Sequence, residues 1–136
     1  MTIASADAID VHTHVVPETF PPYLGRRSGA PWPSMADARP CHRHVMVSGA
    51  IYRTVSHHCW DCTARRADMV STRIARQVLS PMPELLSYWM APEDGRALCR
   101  YLNETIAVMV DGDPSAFPGL GAVPMQQVDA ATAELG

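Results

Sequence analysis

The sequence predicts an α/β fold built on a parallel sheet. Three observations carry this: short apolar runs at Ala8–His12, Ile74–Leu79 and Gly119–Val123; helix-like stretches at Thr63–Ser71, from Pro92 to about Gly112 and at Val128–Leu135; and their strict alternation along the chain. Strands separated by helices cannot form tight antiparallel hairpins with one another, so they pair side by side in parallel.

Each element has a local reason. Ala8-Ile9-Asp10-Val11-His12 is an apolar run closed by polar residues and then Pro17, which predicts a buried strand followed by a loop. From Pro17 to about Pro40 the chain is rich in Pro, Gly and Arg and has neither helical nor strand period, as in a long loop. His44–Val47 and Ala50–Val55, separated by Ser48-Gly49, read as a hairpin around a tight turn. Ser80-Pro81 closes the run at Ile74–Leu79. The clearest helix follows Pro92: Leu98, Tyr101, Leu102, Ile106, Met109 and Val110 fall on one face, Glu93 and Asp94 suit the positive end of the dipole, and Gly112 and Pro114 stop it.

Composition sets outer bounds. With 136 residues, 47% of them hydrophobic and 18% charged, the chain has room for one ordinary domain. A net charge of −3, with eleven scattered arginines and no lysine, gives no basic patch for nucleic acid. No basic-then-apolar leader opens the sequence and no run of about eighteen apolar residues occurs, so the expectation is a cytoplasmic protein with no membrane partner. Four cysteines without a secretory signal point to reduced thiols.

The candidate chemistry begins with His12-Thr13-His14 at the end of the first strand. Residues two apart on a strand point to one side, so two imidazoles can share one metal ion, and zinc suits them. Asp10 is either a supporting partner of these histidines or a turn residue. A second cluster, Cys41, His42, His44, His57, His58, Cys59 and Cys62, could form a zinc knot, but its spacing is irregular and no second CxxC exists, so that reading is disfavoured; a redox CxxC has still less support. Arg53 on the hairpin could offer its planar fork to a carboxylate, although a solvated arginine on a strand is the commoner case. Trp32 and Tyr88-Trp89 read as core or loop packing.

The segments IDVHTHVVPETFPPYL, GAIYRTVSHHCWD, QVLSPMPELLSYWMAPEDGRALCRYLNETIA and FPGLGAVPMQ resemble the N-terminal part of the aminocarboxymuconate-semialdehyde decarboxylase family, in the amidohydrolase superfamily. The most specific pieces are SYWMAPED at Ser87–Asp94, CWD at Cys59–Asp61 and GLGAVPMQ at Gly119–Gln126. The resemblance implies a (β/α)8 TIM barrel, of which 1–136 supplies about three βα units, with an insertion at about 17–62 carrying the hairpin. It implies a divalent metal, most often zinc, held in part by His12 and His14, and Arg53 as the group that binds a carboxylate of a small substrate. It also implies a carboxy-lyase reaction, and that CWD leads into the first helix instead of binding metal. A homodimer is left open. A complete barrel needs about 250 residues, and the family's remaining metal ligands and its catalytic histidine come from later strands, so the expectation is a truncated product, inactive by itself. The alternatives are a hydrolase or hydratase on the same scaffold, or a non-catalytic fragment.

Overall fold

The computed structural model describes residues 8–136, and its regular elements follow in chain order. Strand β1 is Ala8–Val15, β2 Pro33–Asp37, β3 His42–Val47, β4 Ala50–Ser56 and β5 Ile74–Pro81; helix α1 is Cys62–Thr72, α2 Pro92–Gly112 and α3 Val128–Leu135. The strands form two sheets, a parallel pair β1-β5 and an antiparallel β2-β3-β4. The chain is thus mixed α/β, with α1 on the crossover between the two parallel strands.

The hairpin forms where expected. Val47 pairs with Ala50, and the two residues between them, Ser48 and Gly49, both have positive φ (52° and 77°). That is the mirror-image turn whose twist matches a right-handed strand pair, and glycine takes the second position without steric penalty. Helix α1 starts at Asp61, whose Oδ1 accepts from the Thr63 and Ala64 backbone N–H groups at 2.8 and 3.1 Å. The aspartate of CWD is therefore a helix cap, satisfying two amides that have no partner within the helix. Helix α2 opens on Pro92, whose missing N–H costs nothing there, and buries Leu98, Cys99, Leu102, Ile106 and Met109.

Three expectations are corrected. The stretch from Pro17 to Pro40 is not loop throughout: Pro33–Asp37 pairs with β3, so the hairpin becomes three-stranded. A proline can open such an edge strand, which is why PSMAD carries no strand signal of its own. The first strand is longer than Ala8–His12 and less buried, with Ile9 53% and Val11 72% exposed, because β1 pairs on one side only among the described residues. The third strand expected at Gly119–Val123 is reduced to one bridge at Gly119, and the bonding to β5 begins earlier in the chain. Gln77 donates to Ala116, Leu79 to Pro118, and Leu120 to Leu79, with one parallel bridge between Leu79 and Gly119. Asn103 of α2 holds the far end of this segment, donating to Ala122 O at 2.8 Å and accepting from Ala122 N at 2.7 Å.

Two apolar clusters position everything else. One joins the antiparallel sheet to the loops after β1 and β5 and to α2: Val16, Val45, Val55, Met82, Leu85, Met90, Leu98 and Leu102, with Trp32 and Trp60 packed against it. The other fills the space between the parallel strands and the helices: Val15, Met69, Leu79, Ile106, Met109, Ala116 and Phe117. Tyr88 and Trp89 are not core residues, at 45% and 62% exposure. The hairpin sheet is thereby fastened over the C-terminal end of the parallel strands.

Candidate active site

His12 and His14 occupy the C-terminal half of β1, His12 exposed and His14 half-buried. Their rings stand with centroids 5.0 Å apart, edge to face, so both lie on one side of the strand. A local irregularity contributes to this placement. Asp10 pairs with Gln77 and Thr13 with Leu79, so Val11 and His12 together oppose the single residue Val78. Such a bulge re-aims side chains and leaves a backbone group without its ladder partner. The Asp10 carboxylate meets that need, its Oδ1 accepting from the His12 N–H at 3.1 Å. Asp10 therefore supports the backbone of the histidine segment, the turn-type role of the two left open by the sequence.

His14 is held from two sides that sequence reasoning missed. Ser80, opposite it on β5, donates its hydroxyl to Thr13 O at 2.8 Å and lies 3.3 Å from His14 Nδ1. With its hydroxyl proton given to Thr13 O, Ser80 Oγ is placed to accept from Nδ1–H of His14. In that tautomer the lone pair that a ligand needs lies on Nε2. Arg65 of α1, only 6% exposed, donates through Nη2 to His14 O and through Nη1 to Gln77 Oε1 at 3.2 Å. Burial lowers the Arg65 pKa, while the Cys59 and Cys62 thiols and the Asp10 carboxylate act in the opposite sense. The signal for Arg65 was present in the sequence as its spacing from Met69, the two buried residues of α1, but a charged residue at a core position reads as surface until its partners are seen.

Arg53 lies on β4 directly opposite the buried Val45. Its Nη2 is 3.3 Å from Oε1 of Glu84, in the turn at Pro83–Leu86 that follows β5. Arg53 is thus brought to the same end of the parallel sheet as the two histidines, and its ion-pair partner there is a carboxylate of the chain itself. Glu84, but not Arg53, also lines a recess of about 210 Å³ together with Val45, Val47, Tyr52, Met82, Leu85 and Trp89.

The cysteine and histidine cluster does a different job. His57 and His58 form a single helical turn, Cys59 O accepts from Val16 N at 3.2 Å, and Cys62 begins α1. Among the described residues no three His, Cys, Asp or Glu side chains gather about a common point. Burial pushes the Cys59 and Cys62 thiols up, with Arg65 only partly opposing it. A redox or nucleophilic thiol needs the reverse shift. The buried Cys99 is pushed up to about 11, chiefly by desolvation, with Glu134 adding to it. Thiolate grows only as pH rises toward the pKa, so at pH 8 Cys99 stays in its unreactive thiol form. Alkylation with iodoacetamide at pH 8 followed by peptide mass spectrometry is expected to label the exposed Cys41 first and Cys99 last; early labelling of Cys99 would show that α2 opens readily.

Two curated proteins bear on this geometry. No family model matches the chain. It is 34% identical over 127 residues to the 2-amino-3-carboxymuconate-6-semialdehyde decarboxylase of Dictyostelium discoideum, covering 93% of this chain and 35% of that protein. It is 29% identical over 128 residues to the protein of the same name from Caenorhabditis elegans, covering 94% of this chain and 32% of that one. The chain is homologous to the N-terminal portion of these decarboxylases. It spans about a third of their length. The resemblance carried by SYWMAPED, CWD and GLGAVPMQ is therefore found again in whole-chain similarity. Both relatives bear decarboxylase names, and neither is named a hydrolase or hydratase. No helix among the described residues is long and apolar enough to cross a membrane.

Proposed function

We propose that this chain is the metal-binding N-terminal portion of a (β/α)8-barrel decarboxylase, a carboxy-lyase acting on a small carboxylated substrate. The observation that carries the reading is the pair of imidazoles on one side of β1, at the C-terminal end of a parallel strand, in a chain similar to decarboxylases over 93% of its length. In α/β barrels that end of the strands is where active sites are built. The donor set fits zinc: two imidazoles, one with its Nδ1 facing Ser80 Oγ, are borderline ligands of the kind this ion prefers. When bound, the ion would supply Lewis-acid polarisation of the substrate.

The chain's own residues supply the rest of this portion of the site. His12 and His14 present ligands, Asp10 and Arg65 hold the backbone that carries them, and Arg53 offers a planar cation to a substrate carboxylate. Two imidazoles leave most of a zinc ion's coordination to other donors, so the 136 residues alone are expected to bind zinc weakly and release no CO2.

The test joins this chain to the part of the Dictyostelium relative that follows the region of similarity, and measures CO2 release from 2-amino-3-carboxymuconate semialdehyde. The zinc-loaded hybrid is expected to turn over. His12→Ala and His14→Ala should each lose zinc and activity together. A folded hybrid that retains bound zinc in both variants would remove the histidines from the metal site.

A further inference from the structure

We infer that Glu84 is a specificity-determining residue, an internal carboxylate that occupies the binding edge of Arg53 until a ligand carboxylate replaces it. The inference rests on the proposed role of Arg53 as the carboxylate-binding group and goes beyond it. Guanidinium selects planar carboxylates by parallel N–H donation, and the ligand it would select already has a counterpart in Glu84 Oε1, 3.3 Å from Nη2.

Two features make this pair replaceable instead of structural. Arg53 keeps 55% of its side chain exposed and Glu84 32%, so the contact is partly hydrated and worth little compared with a buried pair. The second Glu84 oxygen, Oε2, is buried and has no hydrogen-bond partner. A carboxylate oxygen denied both water and a donor is destabilised, and that cost is relieved when the side chain swings out to solvent. The pair is therefore half-satisfied, with release favoured by one oxygen and retention by the other.

The position of the pair selects the ligand. Glu84 lines the recess of about 210 Å³ with Val45, Val47, Tyr52, Met82, Leu85 and Trp89. A flat, unsaturated or aromatic carboxylic acid would rest its ring against these apolar walls and bring its carboxylate to Arg53, displacing Glu84. A neutral analogue of the same shape has nothing to exchange for the ion pair. Glu84 thus favours anionic ligands, which can take its place on Arg53, over neutral ones, which cannot.

The experiment titrates the zinc-free 136-residue protein with benzoate, and with benzamide as the neutral control, following backbone amide shifts by NMR. Benzoate is expected to bind in the millimolar range or weaker and benzamide more weakly still. Glu84→Gln, which keeps the shape and removes the competing charge, should tighten benzoate binding about 2- to 5-fold, the equivalent of one exposed ion pair, and leave benzamide unchanged. Glu84→Ala provides a second reading free of the new amide. Arg53→Gln should abolish the preference for benzoate. If Arg53→Gln weakens benzoate binding while neither Glu84 variant tightens it, the gating role of Glu84 is overturned and the reading of Arg53 stands. If benzoate binds Arg53→Gln as well as the parent protein, or binds none of the proteins, both fail.

Discussion

Phe117→Ala is expected to destabilise the protein by about 3–5 kcal/mol, the range for truncating a buried aromatic side chain. Phe117 is fully buried, at 0% exposure, in the cluster with Val15, Met69, Leu79, Ile106 and Met109. Its ring fills the space where the parallel strands meet α1 and α2, and nothing in a cluster of this kind can collapse inward without moving a strand. For a domain whose total stability is about 5–15 kcal/mol, a loss of this size consumes a large share of it. The consequence extends to the sheet. Phe117 lies between Ala116 and Pro118, whose carbonyls accept from Gln77 and Leu79, so its packing keeps the 116–120 segment beside β5. Urea unfolding followed by tryptophan fluorescence measures the first effect, and amide exchange at Gln77, Leu79 and Leu120 the second. A loss under about 1 kcal/mol would show that the segment is not packed as described. Phe117→Leu should lie between the two proteins.

The second large effect is expected at Arg65. Arg65→Ala removes donors from His14 O and Gln77 Oε1 together and leaves a hole beside Cys59 and Cys62. Part-buried acceptors left without their donor, together with a lost charged hydrogen bond, place the cost at about 2–4 kcal/mol. Arg65→Lys should recover little, because a point ammonium cannot span two acceptors on different strands as a planar fork does. Arg65→Met should recover part of the stability, since it fills the volume and removes a charge that burial already disfavours. It should not recover the anchoring of the His14 carbonyl. If His12 and His14 share a metal, zinc affinity measured by competition with a chromogenic chelator is expected to fall about 10-fold in both Arg65→Ala and Arg65→Met, as for other residues that orient metal ligands. Equal zinc affinity in all three proteins would confine Arg65 to folding.

Much of the framework is legible in the sequence. The Leu98–Met109 stripe, Pro92 at the start of α2, the Ser48-Gly49 turn and the strand at Ile74–Leu79 each depend on neighbours within a few residues, and each appears where the local pattern places it. The misses were of another kind. Pro33–Asp37 is a strand because β3 offers it an edge, and Gly119–Val123 falls short of one because only Gly119 and Leu120 meet β5, while Ala122 bonds to Asn103 of α2 instead. Strand formation depends on a partner that the local sequence does not contain.

The candidate site divides along the same line. By itself the sequence determined that two histidines stand two residues apart on a strand, that an arginine lies on a hairpin, and that the surrounding segments resemble a decarboxylase family, because spacing and motif are properties of the chain alone. Only the tertiary structure decided that Ser80 and Arg65 hold His14, that Asp10 serves the bulge at Val11-His12, and that Arg53 rests on Glu84. These pairings join residues as far as 66 positions apart. Hydrogen bonds and ion pairs act over a few ångströms, and no period in the sequence records which distant groups the packing of two apolar clusters will bring within that reach.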